Sequence, residues 1–349
     1  LLSHCFILNE DIEKATIQLN KAKRLDPNNA LVGWNEARLL LKKRKLPDAL
    51  AIATRTNKRF PEDAEGMGIL GSCLRANNNL EESLIYLNKA VSLNPDYAEA
   101  LINRGLIYLT QGNKAKGLTD LEKAHEIKPH IKQIWNLVIS LKIEFEQFSE
   151  AISILKRLLK LDPQEVTIFS KLALCYERLS RFGAASNICK KIISIVPTHL
   201  EAHINLGRVL SMNGKLDEAI NTYVKAQVVK PCDPGILNNM AIAFDKKGKH
   251  DHAMNFYQKS TILKPDYADA YNNVGCSLQG QAKHLESLKQ FNQAIKLNPR
   301  FSEAYSNLGN SLNQIGQHIE AIETFYQAIK FKPDSVEAYT YIGIAFIEL

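Results

Sequence analysis

Three stretches of this sequence have residue types and spacings that could do chemistry. Residues 66–72, GMGILGS, contain G-x-G-x-x-G at Gly66, Gly68 and Gly71. That pattern holds a dinucleotide pyrophosphate when a strand precedes it and a helix opens on it, because bare backbone amides then face the phosphates. His199-Leu-Glu-Ala-His203 sets two imidazoles one helical turn apart, a spacing that can bring both to one metal ion. His250, His284 and His318 recur at intervals of 34 residues. Each pattern lacks its context. The three glycines lie inside one helix-length segment with no strand before it. The glutamate between His199 and His203 is misplaced for a zinc-peptidase motif, and no third ligand is evident. The three recurring histidines are too widely separated to share a metal. No Ser/His/Asp or Cys/His pair has a reason to converge. We expect no catalytic residue, no cofactor site and no metal site in this segment.

The interval of 34 governs far more than the histidines. Residues 268–301 and 302–335 repeat one another, with Tyr271 matched by Tyr305, Gly275 by Gly309, Phe291 by Phe325 and Ala294 by Ala328. Pro27, Pro61, Pro95, Pro129, Pro163, Pro197, Pro231, Pro265, Pro299 and Pro333 share one register, which takes ten of the twelve prolines. A fixed period of this length marks an array of small structural units. With the register proline as position 32, full units begin at Ala30, Ala64, Ala98, Lys132, Val166, Leu200, Pro234, Ala268 and Ser302. Partial units occupy 1–29 and 336–349. Positions 4, 7, 8 and 11 are apolar or small and form one helical face; positions 20, 24 and 27 form a second. A polar turn separates them, and the proline ends the second helix because it lacks an amide donor. Position 20 is small in every unit, and position 8 in all but one, where Ile139 stands. Each unit is therefore expected to be a tight antiparallel helical hairpin that buries its faces only by stacking on its neighbours. The expected architecture is all-α, one solenoid over residues 1–349. Asp96, Asp266 and Asp334 are placed to cap the helices that follow them. Residues 30–63 and 132–165 depart from the pattern at Trp34, Glu36, Lys142 and Glu146, so local distortion is expected there, with a bend over 132–148.

This register resembles the tetratricopeptide repeat family, in its large aromatic, Leu-Gly, Tyr, Ala, Phe and Pro positions. The resemblance covers essentially the whole chain. It implies about ten hairpins wound into a right-handed superhelix, with the first helix of each pair lining a concave wall.

The informative residues lie opposite the core face of the first helix, at positions 2, 6, 9 and 13. Position 6 carries Asn35, Asn103, Asn205, Asn239, Asn273 and Asn307, the last four in successive units. Asparagine is a poor helix former, so propensity does not put it there. A ladder of amides offers donors and acceptors that can satisfy the backbone of an extended peptide. Asn238, Asn272 and Asn310 widen the strip. The bland alternative is that these amides bond neighbouring helices to one another, and both readings stay open at this stage. The ladder and the phrase YNNVG at 271–275 look like the superhelix of the O-linked N-acetylglucosamine transferases. In that family such asparagines hold substrate polypeptide. A carboxylate clamp of the co-chaperone kind would need Lys at position 5 with Asn at position 9, and no unit has that pair.

Composition narrows the remaining classes. Hydrophobic content of 45% excludes a disordered chain. The net charge of +7 is dispersed, so no continuous phosphate track is expected and RNA binding ranks last. Lys42-Lys43-Arg44-Lys45 reads as a solvated turn. No apolar run is long enough to span a bilayer. LLSHCFIL at the start could pass for a signal core, but Leu2, Phe6, Ala15 and Leu19 already keep the register. Six cysteines, Cys5, Cys73, Cys175, Cys189, Cys232 and Cys276, show no C-x-x-C spacing, and three of them share position 10 with Ala243, Ala345 and Ser277. They read as small packed side chains in a cytoplasmic setting. The expected function is a protein-interaction scaffold that binds a protein or extended peptide, with no nucleic acid and no membrane insertion. Because the chain opens and closes within first helices, the alternative is the substrate-recruiting region of a longer glycosyltransferase.

Overall fold

The structure is a computed structural model that describes residues 11–129 and 131–349, apart from the side chains of Lys132 and Gln133. Leu2, Cys5 and Phe6 therefore lie outside the described residues. Among the described residues there are twenty α-helices and no strand. Every first helix, from Ala30–Lys42 to Val336–Glu348, has 13 residues, and every second helix, from Leu46–Arg59 to His318–Phe331, has 14. The first helix begins at position 1 of each unit and the second at position 17. The chain divides into two compact units, Leu1–Ile154 and Leu155–Leu349, with the division inside the helix Phe148–Leu161. Within each unit the hairpins stack in sequence order, the second helices other than Phe148–Leu161 at the division packing on the first helix of the next repeat and, where it is described, on their own first helix.

Both ends of the hairpin have local causes. The turn between the helices puts position 15 in the left-handed region in nine successive repeats. Gly112, Gly214, Gly248 and Gly316 adopt it without a side-chain clash, whereas Arg44, Asn78, Glu146, Ser180 and Ala282 adopt it with φ between 56° and 65°. At the other end, in three repeats, the side chain at position 4 reaches back six residues to the carbonyl of the register proline. Trp135 Nε1 donates to Pro129 O at 2.5 Å and Tyr305 OH donates to Pro299 O at 3.3 Å. His203 Nε2 lies 2.9 Å from Pro197 O, and since a carbonyl only accepts, that nitrogen carries the proton.

The hairpin interior is a large-against-small fit. Position 20 has no solvent exposure at Ala15, Ala49, Ser83, Ala151, Ala185, Ala219, Ala253, Ser287 and Ala321. Position 24 places Leu87, Tyr223, Phe291 and Phe325, all buried, over the bare backbone of Gly71, Gly207, Gly275 and Gly309 at position 8. Burying one such ring contributes roughly 1.5–3 kcal/mol, which the glycine makes possible by letting the helices close.

One expectation needs correction. Asp96, Asp266 and Asp334 do not cap, because the N-cap is the next residue, at position 34. Asn29, Asp63, Glu165, His199, Asp233 and Ser335 do accept amides there, while Tyr97 and Tyr267 make no such bond. Asp96 instead pairs with Lys123 at 3.3 Å. The irregular repeats keep the helix lengths of the others. The helices Ala30–Lys42 and Lys132–Glu144 match their counterparts in span. Lys142, only 4% exposed, fits because the carboxylates of Glu122 and Glu150 meet it. Burial works against its charge, but the bonds to the two carboxylates outweigh burial and hold the ammonium above its ordinary range.

Candidate functional site

Successive first helices lie side by side within each unit, so residues one period apart become neighbours. In the second unit this brings the amides together in a specific way. Asn273 Nδ2 donates to Asn238 Oδ1 at 3.1 Å, and Asn307 Nδ2 donates to Asn272 Oδ1 at 3.1 Å. Each bond runs from position 6 of one repeat to position 5 of the repeat before. Asn238 and Asn272 are buried, at 4% and 2% exposure, while Asn273 and Asn307 are half-buried. Asn307 Nδ2 also reaches Cys276 Sγ at 3.3 Å. Asn205 Oδ1 accepts from Arg208 at 3.2 Å. Asn239 and Asn310 are half-buried and have no side-chain partner among the described residues.

The first unit treats its asparagines differently. Asn103 is fully engaged: it donates to Ser72 Oγ and to its own helix at Glu99 O, both at 2.8 Å, and accepts from Arg75 Nε at 2.8 Å. Asn35 is buried with its Oδ1 enclosed and unpartnered. Between them position 6 is Ile69, 3% exposed, so the amide series breaks there. Sequence reading placed the amides on one face but missed their partners Ser72, Arg75 and Cys276. The signal that could have found the asparagine pairs is their separation of 35 residues, one period plus one.

The motifs that resemble catalytic or ligand sites are packing devices. Gly66, Gly68 and Gly71 lie in the helix Ala64–Ala76, where an added Cβ would strike the Trp34 ring, the Tyr97 ring and the Leu87 side chain respectively. His199 caps its helix by accepting from Ala202 N at 3.1 Å. His250 Nδ1 lies 2.6 Å from Asp245 Oδ1 and His318 Nδ1 lies 2.7 Å from Asn313 Oδ1. Gln279 and His284, at the same two positions, each keep an enclosed nitrogen without a partner. Among the described residues no three His, Cys, Asp or Glu side chains gather as a metal site. Burial pushes the thiols of Cys73 and Cys276 up to about 12 and those of Cys175 and Cys189 to about 11, so they stay protonated at neutral pH. No helix among the described residues is long and apolar enough to cross a membrane.

Comparison with known proteins agrees with this architecture. Family profiles described as tetratricopeptide repeat match residues 35–98, 98–131, 188–221, 234–267, 268–301 and 291–323, and one described as TPR repeat matches 309–349. The chain belongs to the tetratricopeptide repeat family. Among curated relatives, a tetratricopeptide repeat-containing protein, trd-1, of Caenorhabditis elegans is 28% identical over 153 residues, 44% of this chain and 20% of that protein. The human protein O-mannosyl-transferase TMTC3 is 27% identical over 48% of this chain and 19% of its own length. A UDP-N-acetylglucosamine–peptide N-acetylglucosaminyltransferase of Giardia intestinalis is 26% identical over 33% of this chain and 8% of its own length. The matches thus span a fifth or less of each relative. Among solved structures, a tetratricopeptide repeat protein from Parabacteroides merdae aligns over 71% of this chain and 98% of its own, with TM-score 0.63 and 15% identity. Yeast Tom70 aligns over 99% of this chain and 87% of its own, with TM-score 0.55 and 15% identity. Both share the fold.

Proposed function

We propose that this chain is a protein-interaction scaffold that holds extended polypeptide along the wall of first helices. The observation that carries the reading is the half-satisfied amide series of the second unit. Asn273 spends one donor on the neighbouring repeat, Asn307 Nδ2 meets two acceptors there, and Asn239 spends none, so the acceptors of all three and the remaining donors of Asn239 and Asn273 are open to a ligand backbone. Such contacts are sequence-tolerant, because every residue of an extended chain presents the same amide and carbonyl. Asn35, Asn103 and Asn310 belong to the proposed strip, with Asn103 already committed to protein partners. A reducing, cytoplasmic setting is part of the reading, with Cys73, Cys175, Cys189, Cys232 and Cys276 all unpaired.

The test separates binding from adhesion. Replacing Asn205, Asn239, Asn273 and Asn307 by Ala together should weaken binding of a neutral unstructured peptide by at least about tenfold, as several bonds of about 1 kcal/mol are lost. Replacing Asn238 and Asn272 by Ala should lower the melting temperature instead, because it strips the buried acceptors. Unchanged peptide affinity in the fourfold variant would sink the reading.

A second reading is the substrate-recruiting region of a glycosyltransferase that modifies proteins. Two relatives with such names, an O-mannosyl-transferase and a peptide N-acetylglucosaminyltransferase, favour it. Finding a glycosyltransferase domain in the same polypeptide would establish it, and a full-length protein built of repeats alone would exclude it.

A further inference from the structure

One buried ring in the second unit carries a polar group that its packing does not use. Tyr257, at position 24 of its repeat, lies among Ala241, Val274 and Leu278 and is only 2% exposed. Its hydroxyl is close enough to Asp245 and Cys276 to interact electrostatically with both, but it bonds to neither and has no other hydrogen-bond partner among the described residues. Phe291 and Phe325 fill the same position in the next two repeats, so the packing there needs no hydroxyl. Burial, more than the neighbouring Asp245 carboxylate, holds the phenol above its ordinary range and keeps it a donor. An unmet donor at the tip of a buried ring calls for an acceptor.

Tyr257 lines a cavity of about 350 Å³ between the helices Pro234–Lys246 and Ala268–Gly280. Lys246, Asn273, Cys276 and Gly280 line it from outward positions of the first helices, with Asp245 beside them. The acceptors there are only half spent. Asp245 Oδ1 takes the bonds from Ser277 Oγ at 2.9 Å and His250 Nδ1 at 2.6 Å, while Oδ2 has no partner among the described residues. Asn273 gives its Nδ2 to Asn238, and its Oδ1 accepts from no described residue. Gly280 keeps room beside them. Position 13 is Arg178, Met212, Lys246 and Gln314 in other repeats of this unit, whereas a Cβ on Gly280 would meet nothing within 4 Å. One unspent donor and two unspent acceptors therefore line a single cavity. Its lining carries both the Asp245 carboxylate and the exposed Lys246 ammonium, so a charged ligand of either sign meets a like charge.

We propose that this cavity takes the carboxamide side chain of a glutamine or asparagine in the bound polypeptide. The amide oxygen accepts from Tyr257 Oη, and the amide nitrogen donates to Asp245 Oδ2 and Asn273 Oδ1. The inference rests on the polypeptide-binding reading and adds a sequence preference to it, which backbone contacts along the asparagines do not supply. An ammonium or guanidinium would leave the Tyr257 hydrogen unmet. A carboxylate would leave both acceptors unmet and face Asp245, and an apolar side chain would leave all three groups unmet.

Fluorescence anisotropy on the full chain tests this with labelled Gly-Ser peptides of equal length that carry one central Gln, Glu, Lys or Met, beside the unsubstituted parent. The Gln peptide should bind at least about tenfold more tightly than each of the others, the gain expected from two or three hydrogen bonds of ordinary strength. Tyr257→Phe keeps the packing found at Phe291 and Phe325 and should cut that preference at least about threefold. Gly280→Leu adds bulk to the cavity where the fold leaves open space and should abolish it. Melting curves verify that both variants are folded. A Met, Glu or Lys peptide that binds as tightly as the Gln peptide overturns the proposal. So does a preference that is unchanged in either folded variant. If all the peptides, the parent included, bind alike, the cavity assignment falls and the asparagine reading stands; if none binds, the asparagine reading falls and takes the assignment with it.

Discussion

At position 8 a single hydrogen atom decides how closely two helices approach. A Cβ on Gly275 would come within 2.5 Å of the Phe291 ring, and one on Gly309 within 2.7 Å of the Phe325 ring. Neither ring can retreat, since both are fully buried. Gly309→Ala should therefore destabilise by about 1–3 kcal/mol through overpacking, although alanine is the better helix former. A thermal melt that rises would show that propensity outweighs the contact. This site was readable beforehand, because smallness at position 8 repeats with the period. The asparagine pairs were harder to read. Position 6 was legible as an outward face, but which atoms it meets depends on the offset between neighbouring repeats, which no single repeat encodes. Lys142 is similar: it occupies an aromatic position, and nothing local to it announces that Glu122 and Glu150 converge there.

At the scale of the element, the turn between helices imposes one conformation on nine residues of six types. Ala282, with φ 58°, gains nothing from its side chain there and bears the left-handed penalty of roughly 1–2 kcal/mol. Ala282→Gly removes that penalty at a cost of about 0.5–1 kcal/mol in chain entropy. The net expectation is a gain of up to about 1.5 kcal/mol, read as a higher denaturant midpoint with an unchanged slope. A lower midpoint would mean that Ala282 makes contacts beyond the turn. Two helices per repeat were legible, since two apolar faces and the register proline mark them, whereas the lengths of 13 and 14 residues came from the structure. The caps were not legible. Aspartate after proline suggests a cap, but the chain needs one more residue to redirect itself before the next helix starts, so Tyr97 and Tyr267 occupy the capping position and Asp96 turns to Lys123.

At the scale of the whole molecule, stability is distributed over units and the interfaces between them. Native-state hydrogen exchange should show protection graded by repeat, highest in the interior repeats of each compact unit. It should be lowest in Val336–Glu348, which leaves Phe346 and Ile347 57% and 86% exposed. Uniform protection along the chain would mean a single cooperative block and would contradict that picture. The unbroken helix lengths have one further consequence. Each repeat begins, turns and ends at the same count, with a small residue at position 20. A recombination event that joins two repeats at equivalent positions leaves every helix whole and every turn in place, whichever repeats are joined. Length can then change by duplication or deletion in steps of 34 residues without a new folding problem, while the outward face of each copy is free to diverge.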